Sequence, residues 1–169
     1  MAKKSTGATP AARALTRAGV PHTLHEYDHD PRAESYGMEA ATALGLDPAR
    51  VFKTLMASVD RLPGTGRPGL VVAVVPVSGQ LDLKALARAV GAGKAQLADP
   101  GAAERATGYV VGGISPIGQK RQHPTVVDAS ALDHPTVFVS GGRRGLDLEI
   151  APADLVGVTG ATTAPVGRP

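Results

Sequence analysis

Val51-Phe52-Lys53-Thr54-Leu55-Met56-Ala57-Ser58-Val59, followed beyond a loop by Leu70-Val71-Val72-Ala73-Val74-Val75-Pro76-Val77, sets the architecture of this 169-residue chain. Both runs are rich in β-branched and large apolar residues, the composition of pleated, buried strands. The connection Asp60 to Gly69 carries Pro63, Gly64, Gly66, Pro68 and Gly69, so it reads as a long exposed hairpin loop. On the upstream side, Thr9 and Pro10 supply an N-cap and a first helical position for a helix running to Ala18 and closed by Gly19. Val20 to Tyr27 is extended, Asp28 to Pro31 turns, and a short helix runs from near Ser35 to Gly45. Downstream, Leu83, Leu86, Ala87 and Val90 recur at helical spacing between Asp82 and Gly91, and Asp99-Pro100 starts another helix that ends at Gly108. Tyr109 to Val111, Thr125 to Asp128, Val137 to Ser140 and Leu146 to Ile150 are short β-rich runs separated by Gly/Pro turns. A last helical turn is expected at 152–156. The domain is therefore bounded at residues 9–157, with flexible tails at 1–8 and 158–169. Helices near both strand groups, and no repeat at fixed period, predict a single α/β (α+β) domain with a mixed, curved sheet.

Composition narrows the function. No apolar run reaches the roughly 18 residues that span a bilayer, and no secretory signal opens the chain, which places the protein in the cytoplasm with no membrane partner. The sequence has no cysteine, which excludes disulfides, thiolate metal sites and a cysteine nucleophile. If a thiol matters, the substrate brings it. The net charge of +3 and pI of about 9.4 permit a polyanionic partner without identifying one. With three tyrosines, two phenylalanines and no tryptophan, the chain has little capacity to stack bases, which argues against an aromatic single-strand binder.

Several residues could carry chemistry. By period 2, Lys53 shares a face with Val51, Leu55 and Val59, while Phe52, Thr54, Met56 and Ser58 take the other. A lysine among apolar neighbours either snorkels to an edge or points into a cavity that holds an anion or a carbonyl. Thr107-Gly108-Tyr109-Val110-Val111-Gly112-Gly113-Ile114-Ser115-Pro116 puts a glycine pair before Ser-Pro, as either a backbone-amide cradle or a plain turn. It matches neither a P-loop nor a dinucleotide fingerprint nor a nucleophile elbow. Ser140 and Asp147 approach each other across a turn whose tip carries Arg143 and Arg144; this is a pocket wall with a basic lip suited to phosphates, or a solvated hairpin. His22, His25 and His29 share no common face, so no metal site and no cofactor follow. Ser/His/Asp sets drawn from Ser115, Ser140, His123, His134, Asp128 and Asp147 have no local signature that selects a triad.

His25-Glu26-Tyr27-Asp28-His29-Asp30, Val51-Phe52-Lys53-Thr54-Leu55, Gly79-Gln80-Leu81-Asp82-Leu83-Lys84, the Thr107–Pro116 segment and Val139-Ser140-Gly141-Gly142-Arg143-Arg144-Gly145-Leu146-Asp147 occur in one order over about residues 9 to 157. Together they resemble the YbaK/EbsC family of bacterial aminoacyl-tRNA deacylases, in its Cys-tRNA(Pro) deacylase branch. Phe52 stands where a tyrosine is also common, and the Asp60–Gly69 loop is longer than usual. The resemblance implies an editing-domain fold, a mixed sheet or partly closed barrel with flanking helices. It also implies Lys53 as the essential catalytic lysine. Tyr27, Ser140, Asp147, Gly112 and Gly113 are then substrate-binding residues, with Arg143 and Arg144 as candidates for tRNA phosphates. The implied partner is aminoacylated tRNA(Pro), with prolyl-tRNA synthetase as a further candidate and no DNA. The implied reaction is attack by the substrate's own thiol on its ester carbonyl. Two alternatives remain: a deacylase of alanyl or seryl esters that uses water, and a non-catalytic module that binds tRNA or a synthetase.

Overall fold

The computed structural model describes residues 9–169, so the expected tail at 1–8 lies outside the described residues. Its core is the predicted strand pair, β2 (Phe52–Val59) and β3 (Gly69–Pro76), antiparallel with Lys53 opposite Val75 and Leu55 opposite Ala73. β1 is Thr23–Glu26, β4 Gln80–Leu81, β5 Ala95–Leu97 and β6 Thr125–Asp128. β7 is Val137–Arg143, β8 Leu146–Ile150, β9 Thr162–Ala164 and β10 Gly167–Arg168. The main sheet has order β5-β2-β3-β6-β9, antiparallel on the β5 side and parallel from β3 to β9. A second, antiparallel sheet has order β1-β8-β7. An isolated bridge from Val51 to Phe138 brings the two sheets together at the start of β2, giving the mixed, curved architecture expected.

Alternation along β3 explains its near-continuous apolar sequence. Val72 and Val74 face the larger core with Leu15, Leu148 and Leu155, while Val71, Ala73 and Val75 face a second core closed by Leu86 and Val90. Both faces are buried, so a polar residue has no place along the strand. α1 (Pro10–Ala18), α3 (Leu83–Val90), α4 (Pro100–Thr107) and α5 (Pro152–Thr159) cover these cores, while α2 (Tyr36–Leu44) packs Ala40 and Ala41 on a third cluster with Val51, Val77 and Phe138. Thr9, Ser35, Asp82 and Asp99 accept the first-turn N–H groups of α1 to α4, and Gly19, Gly45, Gly91 and Gly108 end them, as the sequence predicts. Among the described residues no helix is long and apolar enough to cross a membrane.

Two expectations are corrected. Residues 158–169 are not a flexible tail: β9 pairs with β6 and β10 with β4, and α5 runs on to Thr159. Val166 is fully buried, worth roughly 1.5–3 kcal/mol for such a side chain. The Val166 and Gly167 N–H groups both donate to Asp128 Oδ1, at 2.9 and 2.7 Å. Tyr109 to Val111 forms no strand, because its polar groups find other partners. The Tyr109 hydroxyl donates to the Ile117 carbonyl at 2.7 Å, and the Val111 N–H donates to Glu104 Oε2 at 2.8 Å.

Candidate active site

β5 pairs with Ala57, Ser58 and Val59, so among the described residues the first half of β2 has no strand paired along that side. A cleft of about 450 Å³ lies there, within the usual range for small-molecule sites. Lys53 and Thr54 enter it from β2, Tyr27 follows β1, Gly112 comes from the glycine loop, and Ser140 and Asp147 come from β7 and β8. Four separate sequence motifs thus meet in one cavity.

The second sheet explains the grouping. Ser140 and His25 are the partners of Asp147 on its two sides, and Tyr27 lies two residues beyond His25, so the four share a face. The Asp147 carboxyl is buried, and burial pushes its pKa from 3.8 up to about 7. Burial also pushes Tyr27 up to about 12, followed in effect by the negative charge of Asp147, so its phenol stays a hydrogen-bond donor at neutral pH. Lys53 is held below its ordinary value by burial, and its Nζ donates to the Gly79 carbonyl at 2.9 Å. It lines the cavity.

Not every expected residue arrives. Gly113 is absent from the wall: its N–H donates to the Val110 carbonyl at 2.9 Å, and a side chain there would meet the Arg143 backbone at 2.8 Å. Gly112, at φ +89°, does line the cleft, and a Cβ on it would come within 2.8 Å of the Tyr36 ring. Arg143 and Arg144 stand at the tip of the β7–β8 turn, as expected of a lip, and do not line the wall itself. Arg143 pairs with Glu26 at 2.8 Å, and Arg144 donates twice to the Val111 carbonyl. Thr54 is the residue that sequence reasoning missed. Its Oγ1 is buried in the cleft region without a hydrogen-bond partner, among the described residues. Alternation had placed it beside Phe52 and Met56, and nothing in the sequence separated it from a core threonine. No group of three or more His, Asp or Glu side chains among the described residues converges on a metal position.

The comparisons with known proteins fit this geometry. The model of the aminoacyl-tRNA editing domain matches residues 30–158. The chain belongs to this family and is an aminoacyl-tRNA hydrolase. It is 37% identical over 171 residues to the "Putative Cys-tRNA(Pro)/Cys-tRNA(Cys) deacylase EbsC" of Enterococcus faecalis, an alignment covering 98% of each chain. A solved structure described as "a putative trans-editing enzyme for prolyl tRNA synthetase" is 25% identical with a TM-score of 0.79, covering 95% of this chain and 96% of that one. The crystal structure of a hypothetical protein is 28% identical, also with a TM-score of 0.79, over 94% of this chain and 99% of that one.

Proposed function

We propose that this protein hydrolyses Cys-tRNA(Pro) in trans, with the cysteine thiol of the substrate as the attacking group. The observation that carries the reading is the meeting of Lys53, Tyr27, Gly112, Ser140 and Asp147 in one cleft sized for an aminoacyl ester and its ribose. The chain has no cysteine of its own, so a thiol in this reaction belongs to the substrate.

Asp147, whose carboxyl burial pushes up to about 7, accepts the thiol proton. The sulfur then bonds to the ester carbonyl carbon, and the bond from that carbon to the ribose oxygen breaks. The ribose oxygen leaves with the proton returned by Asp147, and the cyclic thiolactone is opened by water. What the protein supplies is orientation: a thiol and an ester held at near-attack distance gain effective molarity that replaces a protein nucleophile. Lys53 keeps two N–H donors beyond its bond to Gly79, and these hold the developing oxyanion or a phosphate. The Gly112 amide polarises the carbonyl. Tyr27 and Ser140 shape the pocket for the amino acid.

One observation favours a second reading. A carboxyl with a pKa of about 7 can also activate water, which would serve alanyl or seryl esters. The relative named for Cys-tRNA supports the cysteinyl substrate, and the trans-editing neighbour supports prolyl-tRNA synthetase as the source of the mischarged tRNA. Turnover of purified Cys-tRNA(Pro) against Pro-tRNA(Pro) tests the assignment. Rapid hydrolysis of the first alone is expected, and equal rates, or binding without turnover, would remove it.

A further inference from the structure

We infer that Arg144 is a positioning residue that aims and polarises the Gly112 amide, rather than a ligand for tRNA phosphate. The inference rests on the editing reaction proposed above and adds a residue to it. Arg144 lies in the turn between β7 and β8, and its Nε and Nη2 donate to the Val111 carbonyl at 2.9 and 2.7 Å. That carbonyl and the Gly112 N–H belong to one peptide unit. The unit is planar and trans, so gripping its oxygen from one side directs the N–H to the opposite side. Gly112 is the part of this loop that lines the cleft beside Val111 and Ile114. A guanidinium on the carbonyl also draws electron density through the amide and strengthens the N–H as a donor.

Further contacts make the grip stiff. The Val111 N–H is taken by Glu104 Oε2 of α4 at 2.8 Å, so Val111 is held by a carboxylate at its nitrogen and a guanidinium at its oxygen. The Tyr36 ring lies against Gly112, and the Arg144 guanidinium sits 5.0 Å from the centroid of that ring. The backbone of Arg143 and Arg144 closes over Gly113. α2, α4 and the β7–β8 turn therefore converge on two peptide units of a loop that has no strand partner. A lysine at 144 cannot reproduce this, because it offers a point charge where the structure uses a planar fork and a stacking face.

The test compares Arg144→Ala and Arg144→Lys with wild type in steady-state deacylation of Cys-tRNA(Pro) across a salt series. Amide exchange at Val111–Gly113 is measured on the same proteins without substrate. The grip predicts that both variants lose kcat by about 10²-fold, the cost of roughly an ångström of misplacement. It predicts little change in KM, an unchanged salt slope and faster exchange at Val111 and Gly113, whose N–H groups are hydrogen-bonded in the gripped loop. Glu104→Ala falls in the same direction, and Glu104→Gln, which keeps an acceptor, falls less. A raised KM with a shallower salt slope and intact kcat, rescued by lysine, would identify a phosphate contact and overturn the inference. Unchanged exchange at Val111 and Gly113 in Arg144→Ala would overturn it as well. A wild-type protein inactive on Cys-tRNA(Pro) would instead remove the proposed reaction, while the exchange measurement still reads the grip.

Discussion

Ser140 and Asp147 stand directly opposite each other on β7 and β8, with three residues between Ser140 and the Arg144–Gly145 turn and one between that turn and Asp147, and both face the cleft. The Gly142 N–H donates to Ser140 Oγ at 3.1 Å, so the hydroxyl proton is left free to point into the cavity. The pair combines a donor with a carboxyl that burial pushes up to about 7, which is the arrangement a proton-shuttling wall needs.

Asp147 makes stability and rate run in opposite directions with pH. Its folded pKa of about 7 lies above the ordinary 3.8, so the folded state binds its proton more tightly. The resulting stability is fully present below about 3.8 and is lost as pH rises through about 7. The gap sets an upper bound of about 4 kcal/mol. Asp147→Asn is expected to match wild type near pH 4 and to exceed it by a few kcal/mol at pH 8, in urea unfolding followed across that range. The deacylation rate of wild type, corrected for spontaneous hydrolysis, rises through about pH 7 and levels off; that of Asp147→Asn is low and flat.

Lys53→Ala is expected to lower deacylation by about 10²-fold or more, the usual cost of removing a charge that stabilises a developing oxyanion. Circular dichroism and thermal unfolding should be little changed, because the ammonium makes one hydrogen bond, to Gly79, and belongs to no hydrophobic core. Lys53→Arg should rescue poorly, since Nζ sits on the Gly79 carbonyl at 2.9 Å and a planar guanidinium is wider than the compact ammonium seated there. Near-wild-type turnover of the alanine variant would return Lys53 to a structural role.

Local chemistry explains why some elements were legible in the sequence and others were not. The capped helices announce themselves because Thr9, Ser35, Asp82 and Asp99 do their work within three residues of their own position. Ser140 and Asp147 were legible as partners because a short turn fixes their register. β9, β10 and the seat of Val166 depend on Asp128, far away in sequence, and no local pattern encodes that. The tip arginines were read by charge alone, whereas their partners, Glu26 and the Val111 carbonyl, are set by the tertiary fold.

Thr54→Val keeps the shape of the side chain and removes a buried hydroxyl that has no partner among the described residues. Stability is therefore expected to rise by about 1 kcal/mol, the reverse of an ordinary polar deletion in a core. If the hydroxyl contacts the substrate, kcat/KM falls roughly tenfold at the same time, the worth of one hydrogen bond. Chemical denaturation and steady-state kinetics on the same preparation check both. A variant that is more stable and fully active would make the orphan hydroxyl a flaw without function.

Asp128 ties the C-terminal strands to the body through the N–H groups of Ser130, Val166 and Gly167 and the hydroxyl of Ser130. Asp128→Ala strands these donors and is expected to cost about 2–4 kcal/mol, read as a lower urea midpoint at unchanged slope. Asp128→Asn, which keeps one oxygen acceptor, should cost less. Proteolysis of the alanine variant should begin after Ala161, where β9 and β10 are released first. A loss under 0.5 kcal/mol, the scale of an ordinary surface change, would mean that the C-terminal strands hold without this carboxylate.

Replacing the substrate thiol by a hydroxyl separates thiol attack from an activated water. Ser-tRNA(Pro) has nearly the shape of the cysteinyl ester, but its hydroxyl is a far weaker nucleophile at neutral pH. If the thiol attacks, the seryl ester binds and turns over slowly. If the pocket discriminates by affinity alone, the seryl ester binds poorly and reacts normally once bound. Single-turnover rates at saturating enzyme isolate the chemical step from affinity and decide between these cases. A slow saturated rate for the seryl ester is expected. Equal saturated rates for the two esters would exclude thiol attack and would assign the nucleophile to a water activated by Asp147, whose pKa of about 7 suits that task equally well.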